Sequence, residues 1–479
     1  MTSERTRWYA LYVLCLASLM IVLDATIVNV ALPSIKKDLG FTESSLAWVV
    51  NAYLLTYGGF LLLGGRLGDF LGARKLFIGG IVLFTVASLV CGLSTTQWML
   101  VSARAVQGIG GATASAVSLA LMMGLFTTAG DRAKAMGLFG FVAAGGGSIG
   151  VLLGGVLTDL LSWHWIFLVN VPIGAVVVLL SLRLLPADQR AEGRGRIDFA
   201  GAIAVTASLM IAVYAIVNGN KNGWTSAQTL GLLGASAALM AIFLVIESRV
   251  ESPLVPLRFF RHRNLRVANI IGVLWAAAMF AWFFLAALYL QQVLHYSPLQ
   301  VGLSFLPANL IMGAFALGLS AKVVMKFGLR LPIAVGLSLA ALGLLLFVRA
   351  PVGGDFVTDV LPSMVLLGLG AGLAFNPVLL AAMSDVEPTE AGLASGIVNT
   401  SFMMGGALGL AILASVAASR TSHLEASGER HVAALAGGYH LAFLMGVVFA
   451  VVAAVMGGTL LRSAAVQPHG EPAPADVPT

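Results

Sequence analysis

The stretch Trp8–Ile35, "WYALYVLCLASLMIVLDATIVNVALPSI", runs for 28 residues with a single charge, Asp24. A helix that crosses the hydrocarbon core of a bilayer needs roughly 20 mostly apolar residues. The stretch therefore reads as a membrane span with a carboxylate near its centre. A charge at that depth costs about 2.5–3.5 kcal/mol on insertion scales and marks function by default. It is too long for a signal peptide, contains Asp24, and is followed by no small-residue cleavage site.

The rest of the chain agrees. Hydrophobic residues make up 59% of the 479 residues and charged residues 10%, with mean hydropathy +0.96. A soluble domain carries about 25% charged residues, so this chain lacks the polar surface to cover itself in water. The reading is an all-α integral membrane protein. Cys15 and Cys91 sit in apolar runs and offer neither a disulfide framework nor a metal site.

Fourteen apolar runs long enough to span occur between residues 8 and 461. With the N-terminus cytoplasmic, the segments on the inside hold 20 of the 27 Lys and Arg residues and those outside hold 6. That asymmetry is the positive-inside signature, and a miscounted span would scramble it. Fourteen helices with both termini cytoplasmic is the expectation. The formal charge of +6 then faces anionic headgroups rather than nucleic acid. Arginine outnumbers lysine 20 to 7 among many Ala and Gly, which hints at a GC-rich bacterial genome and an inner (cytoplasmic) membrane.

The chain repeats itself. "GGRLGDFLGARKLFIGG" at 64–80 finds a partner in "LSAKVVMKFGLRLPIAVG" at 319–336, with Gly72 over Gly328 at an offset of 256. "VQGIGGA" at 106–112 resembles "LLGLGAG" at 366–372, and "GGSIG" at 146–150 matches "GGALG" at 405–409, at offsets of 260 and 259. The organisation expected is a six-helix half over 1–185, a linker with two extra spans over 186–266, a second six-helix half over 267–462, and a disordered cytoplasmic tail over 463–479. Parallel halves related by an axis along the membrane normal describe the major facilitator architecture, with substrate bound near the midplane between them.

The ionisable chemistry sits in one half. At offset 259, Asp24 lies over Phe283 and Arg104 over Ser363, and both windows in the second half are uncharged. Asp24 and Arg104 are expected to meet. Replacing a buried ion pair by apolar packing is often neutral or stabilising, so structure alone is a poor reason to keep one. A proton site is the functional reading: an apolar cavity favours the protonated form of a carboxylate and a neighbouring guanidinium the ionised form.

Gly146, Gly150 and Gly154 recur every four residues on one helix face, which admits close packing by a neighbour or serves gating. Trp275, Trp282 and Tyr289 are spaced by seven with Met279 and Phe283 nearby. That face fits an adaptable pocket for apolar or cationic ligands, and equally lipid contact or interfacial anchoring. Asn29, Asn51, Gln107, Asn309 and Asn376 complete the candidate cavity. The two extra spans carry Asp198 and Lys221 at their ends, and nothing in the sequence gives these a role.

Five strings carry a family resemblance across the whole chain. "GGRLGDFLGARK" resembles the signature loop between helices 2 and 3 of the major facilitator superfamily. "LDATIVNVALP", "ARAVQGIGGA", "GGSIGVLLGG" and "WHWIFLVNVPIG" are similar to the fourteen-helix drug:H+ antiporter branch. The resemblance implies that Asp24 and Arg104 couple protons. It further implies that Asp69 and Arg74, with Gly65 and Gly72, latch the halves, and that Gly146, Gly150, Gly154 and Gly155 belong to the antiporter helix. Phe70 and Ala73 stand where basic residues are usual, and Val151 where the antiporter signature has proline.

The function expected is a proton-coupled exporter of amphipathic drugs or antibiotics, cationic or neutral, working by alternating access. The chain is expected to act as a monomer with the proton gradient as its energy source, without cofactor or metal and without enzymatic activity. An exporter dedicated to one endogenous metabolite, antibiotic or lipid, and a proton symporter of the same fold, are the alternatives. One central carboxylate implies about one proton per cycle. Exchange for a monocation would then draw only on the pH gradient, roughly 1.4 kcal/mol per unit. A neutral substrate would also draw on voltage, about 2.3 kcal/mol per 100 mV.

Overall fold

The structure, a computed structural model, describes residues 4–126, 128–188, 198–250, 253–386 and 391–462. Within these, the side chains at 69, 129, 133, 140, 141, 143–145, 148, 316, 317, 391 and 392 are not described. The tail expected over 463–479 lies outside the described residues.

Every regular element among the described residues is helical. In chain order they are α1 Glu4–Leu39, α2 Trp48–Leu71, α3 Ala73–Gly92, α4 Gln97–Leu125, α5 Ala129–Leu160 and α6 Trp165–Leu168. Next come α7 Asn170–Leu184, α8 Phe199–Asn222, α9 Ala227–Arg249, α10 Arg263–Leu288 and α11 Pro298–Ala314. The last are α12 Ser320–Phe327, α13 Arg330–Phe347, α14 Leu361–Met383, α15 Ala391–Ala426 and α16 His431–Thr459. Short polar breaks start them. Thr96, Thr128, Ser226 and Ser297 each cap a helix through the side-chain oxygen, and Ser297 forms a reciprocal box with Gln300 ahead of Pro298. Such caps satisfy backbone donors that a helix start otherwise leaves orphaned.

Among the described residues, twelve helical stretches are long and apolar enough to cross a membrane. Two further apolar stretches, Ile149–Leu160 and Pro298–Ala314, are shorter. The first ends α5, which runs unbroken past Val151. The second stops where α11 opens into a π-turn at Phe315–Leu319, with Gly318 at φ 120°, before α12 resumes. The expected count of fourteen is thus not supported: twelve stretches among the described residues qualify by length and composition, the run expected at 300–320 is broken by that turn, and the one expected at 134–157 qualifies only over its shorter end.

The packing repeats. In the first group α1 lies on α5 and α7, α4 on α2 and α3, and α3 on α7. In the second group α10 lies on α15 and α16, α14 on α11 and α13, and α13 on α16. Two reciprocal seams join the groups, α5 on α11 and α2 on α15. Gly72 and Gly328, the pair matched in sequence, both end a helix at positive φ, 96° and 72°. Glycine adopts that conformation without the steric cost of a Cβ. The extra helices α8 and α9 pack on each other, and α8 also contacts α2 and α15, so it covers one seam.

Candidate functional site

Asp24 sits in the middle of α1 and Arg104 near the start of α4, both fully buried. Arg104 Nη1 donates to Asp24 Oδ2 at 2.5 Å. Two amides complete the acid's shell: Gln107 Nε2 donates to Asp24 Oδ1 at 2.8 Å and Asn170 Nδ2 to the same oxygen at 2.9 Å. Gln107 lies one helical turn after Arg104 and accepts from Arg104 Nη1 at 2.8 Å. Ser88 on α3 receives Gln107 Nε2 at 3.1 Å and Asn170 Nδ2 at 3.0 Å, and donates to the Phe167 carbonyl.

Arg104 is also held by α2. Its Nε donates to the Val49 carbonyl at 3.0 Å, and its guanidinium lies 4.3 Å from the Tyr53 ring centroid. Phe167 flanks it at 5.6 Å. The centre therefore draws on α1, α2, α3, α4, α6 and α7. Charge-assisted hydrogen bonds of this kind are the strong ones, and in a low-dielectric interior each unmet partner is costly.

The glycine row sets the position of the helix that carries Asp24. A Cβ on Gly150 would fall 2.9 Å from the Leu23 carbonyl oxygen, and one on Gly154 would fall 2.6 Å from that of Ile27. Gly146 faces Val22 and Leu19. The three glycines thus admit α1 within the first group. Gly155, one residue further round, faces α11 instead, with the Pro298 carbonyl 2.7 Å from its Cβ position. It belongs to the seam. α1 itself is tied to the second group by a hydrogen bond from Gln291 Nε2 to the Val30 carbonyl at 2.8 Å.

The second group carries an apolar pocket between α10, α14 and α15. It is lined by Gly272, Trp275, Phe375, Val378, Leu379, Val398, Asn399 and Phe402. Trp275 is 1% exposed and its indole N–H has no hydrogen-bond partner. Of the expected aromatic face only Trp275 reaches this pocket. Trp282 is packed against Phe283 and Phe305, with ring centroids 4.4 and 5.8 Å away, and Tyr289 donates to the Pro351 carbonyl at 2.7 Å. Trp275, Trp282 and Tyr289 are all buried, so none of the three is a lipid or interface anchor. A spacing of seven fixed a shared face without saying that this face turns into the bundle. Met279 and Phe283 are half-buried beside it.

The expected amides scatter. Gln107 belongs to the Asp24 centre and not to a substrate cavity. Asn29 donates to the Thr26 carbonyl of its own helix. Asn51 is fully buried with both polar atoms unpartnered, Asn309 is buried with Nδ2 unpartnered, and Asn376 is half-buried on α14. At the loop between α2 and α3, the side chain of Asp69 lies outside the described residues. Arg74 donates from Nη2 to the Leu182 carbonyl at 2.5 Å, and the Arg74 and Lys75 amides donate to Asp188. Asp188 thus caps α3, and a Cβ on Gly72 would clash with it at 2.3 Å. Gly65 has open space. The described contacts of Arg74 and Lys75 thus reach Leu182 of α7 and Asp188 in the chain that follows it.

Residues 14–410 match the Major Facilitator Superfamily. The chain belongs to that superfamily. It is similar to the puromycin resistance protein pur8 of Streptomyces alboniger, with 37% identity over 465 residues, 95% of this chain and 92% of that one. The cephamycin export protein CmcT of Amycolatopsis lactamdurans shares 39% over 426 residues, 88% and 87% of the two chains. The lincomycin resistance protein of Streptomyces lincolnensis shares 35%, covering 86% and 85%. Among solved structures, a bacterial homolog of the human lysosomal transporter Spinster superposes with TM-score 0.67 at 16% identity, covering 95% of this chain and 97% of that one. The POT family transporter PepTSo gives 0.67 at 14% identity, with the same coverage.

The protein is thus a multi-span membrane transporter of the major facilitator superfamily, not an enzyme, with antibiotic export and resistance proteins among its relatives. Within that facilitator fold the sequence placed Asp24 beside Arg104 and missed Ser88, Tyr53 and Asn170. Asn170 lay inside the quoted "WHWIFLVNVPIG". An amide in an otherwise apolar helix start was the available signal. The pocket residues Phe375, Asn399 and Phe402 carried none.

Proposed function

We propose that this chain is a proton-coupled exporter of small amphipathic compounds, antibiotics among them. It works by alternating access between the halves 1–185 and 267–462, with the proton on Asp24 and Arg104 as its partner. The observation that carries the reading is the fully buried contact of Asp24 with Arg104, Gln107 and Asn170. Three donors occupy three of the lone-pair sites on the two carboxylate oxygens, two on Oδ1 and one on Oδ2, so a proton has its place on Oδ2 and cancels the charge that holds Arg104. Arg104 would then keep its ties to Val49 and Tyr53, both on α2. Proton loading thus weakens the Arg104 contact between α1 and α4 while Arg104 stays on α2, and Gln107 still donates to Asp24 Oδ1. Val30, six residues after Asp24, carries that change to Gln291 of the second group.

On this reading α5 and the interrupted α11–α12 also cross the bilayer, which makes fourteen crossings. Both termini and the Arg-rich loops face the cytoplasm of a bacterial cell, and the chain acts as a monomer. The pocket around Trp275 and Asn399 suits an amphipathic, neutral or monocationic substrate: aromatic walls, one amide and one free N–H. Several relatives are named for one antibiotic each, which favours a dedicated exporter as the second reading.

The test is transport in proteoliposomes under an imposed pH gradient, across a panel of dyes and antibiotics. Substrate movement opposite to proton flux, lost in Asp24→Asn, is the expected result. Flux in the same direction would make the protein a symporter. Full proton-driven transport by Asp24→Asn would remove Asp24 from the mechanism.

A further inference from the structure

Two more carboxylates are buried far from Asp24. Asp198, just before α8, is 5% exposed and Glu247, near the end of α9, is 3% exposed. Asp198 Oδ1 accepts from the Gly201 amide at 2.7 Å and so caps α8. Glu247 Oε2 accepts from the Val255 amide at 3.0 Å, which ties α9 to the chain leading into α10. Each acid thus uses one oxygen on a backbone N–H.

The other two oxygens, Asp198 Oδ2 and Glu247 Oε1, have no hydrogen-bond partner. They converge. A Cβ built on Gly201 would meet Asp198 Oδ2 at 2.4 Å and Glu247 Oε1 at 3.1 Å. The surroundings are apolar: Ala202 of α8, Leu63 of α2 and Leu254 form a buried cluster, with Phe60, Leu67 and Val255 packed on it. Among the described residues, the charged groups of these elements are Arg66 and Asp69 on α2, Lys221 at the far end of α8, Arg249 at the end of α9, and Arg258 and Arg261 in the following turn. Neither free oxygen accepts a hydrogen bond from any of these. On α15, the other neighbour of α8, the charged and titratable residues Arg420, His423 and Glu425 lie at the far end.

Two ionised carboxylates that share a buried site repel, and one of them holds a proton. We propose that Asp198 and Glu247 form a proton-binding site, a carboxylic acid–carboxylate pair with one proton between Asp198 Oδ2 and Glu247 Oε1. The proton comes from water and returns to it. It converts two facing acceptors into a donor and an acceptor, and so closes the α8–α9 hairpin against α2. When it leaves, two like charges face each other and the start of α8 separates from the end of α9. The site is independent of the proton proposed for Asp24.

Infrared difference spectroscopy and thermal unfolding of the purified full chain, over a range of pH, test the pair. The expected band is the C=O stretch of a protonated carboxylic acid, kept in Asp24→Asn and lost in Glu247→Gln. The unfolding midpoint of the wild type is expected to fall as pH rises through loss of that proton. Glu247→Gln, whose amide can donate to Asp198 Oδ2, is expected to show no such fall. Asp198→Asn offers the mirror-image donor and serves if the first variant fails to fold. A band that survives in both variants, or variants whose midpoint tracks pH as the wild type does, overturns the proposal. A midpoint raised by sodium or calcium chloride instead of acid would assign the pair to a metal cation, and would equally overturn it.

Discussion

The first and second helix groups solve one packing problem with opposite chemistry. The arrangement of α1, α4 and α7 recurs in α10, α14 and α16. Where the first group buries Asp24 and Arg104, the second has Phe283 and Ser363 at the matching offset. Phe283 stacks on Phe305 at 5.4 Å between centroids, and Ser363 is fully buried. Ser88, the hub of the polar network, lies over Leu344 at the offset of 256 that matches Gly72 with Gly328, and Leu344 is buried. Packing without charge therefore suffices to hold this arrangement of helices together. The difference teaches that the charges in the first group are not needed for the fold, and that their desolvation cost is borne for another reason.

The largest effect should come from breaking the pair unevenly. Arg104→Leu leaves Asp24 buried without its cation and is expected to cost about 3–5 kcal/mol of stability. The double variant Asp24→Leu with Arg104→Leu makes the first group resemble the second. It is expected to recover most of that loss, within about 1–2 kcal/mol of wild type, while proton-driven transport stays absent. Denaturation of the two variants side by side, with transport in liposomes, measures both quantities. A double variant no more stable than the single one would mean that the pair is structural, and the comparison between the groups would fail.

A smaller effect separates packing from charge. Gly150 of α5 and Gly409 of α15 occupy matched places. A Cβ on Gly150 would meet Leu23 at 2.9 Å from its carbonyl oxygen, and one on Gly409 would lie 2.3 Å from the Ala277 Cα. Backbone atoms cannot swing aside, so Gly150→Ala and Gly409→Ala are each expected to cost about 1–3 kcal/mol through overpacking. Only the first pushes on the helix that carries Asp24. Proton-coupled transport, measured against the fraction folded, should therefore fall further in Gly150→Ala. Equal losses of transport would show that the glycine row acts through stability alone.

The sequence was informative where physics leaves few choices. Two isolated charges in apolar helices have few ways to avoid their desolvation cost, so the Asp24–Arg104 contact was legible from Asp24 and Arg104 alone. Gly72 and Gly328 were legible as a repeat because a turn at positive φ admits little else. Neutral partners were not legible. Gln107 was assigned to a substrate cavity, and Asn170 and Ser88 went unremarked, because an amide or hydroxyl in a membrane helix can satisfy itself in many ways. The direction of the Trp275–Tyr289 face was hidden for a related reason: a bilayer and a bundle core are both apolar, so periodicity cannot separate them. Asp198 and Glu247 lie 49 positions apart, and only the fold brings them together.

The smallest expected effect lies in the second group and bears on its side of the comparison. If the charges of the first group serve the proton, the apolar second group should serve the substrate. Trp275 then offers a narrow test, because its indole N–H is buried without a partner beside the pocket. Trp275→Phe removes that unmet donor and keeps most of the aromatic wall. An unsatisfied buried donor costs about 1–3 kcal/mol, and losing ring volume costs a comparable amount. Stability should therefore change by less than about 1 kcal/mol. Substrates that accept a hydrogen bond should lose affinity relative to purely apolar ones, by roughly tenfold for a bond worth about 1.4 kcal/mol. The proton released per substrate moved should not change. A Trp275→Phe variant with altered proton coupling and an unaltered substrate profile would place both tasks in one group and dissolve the division.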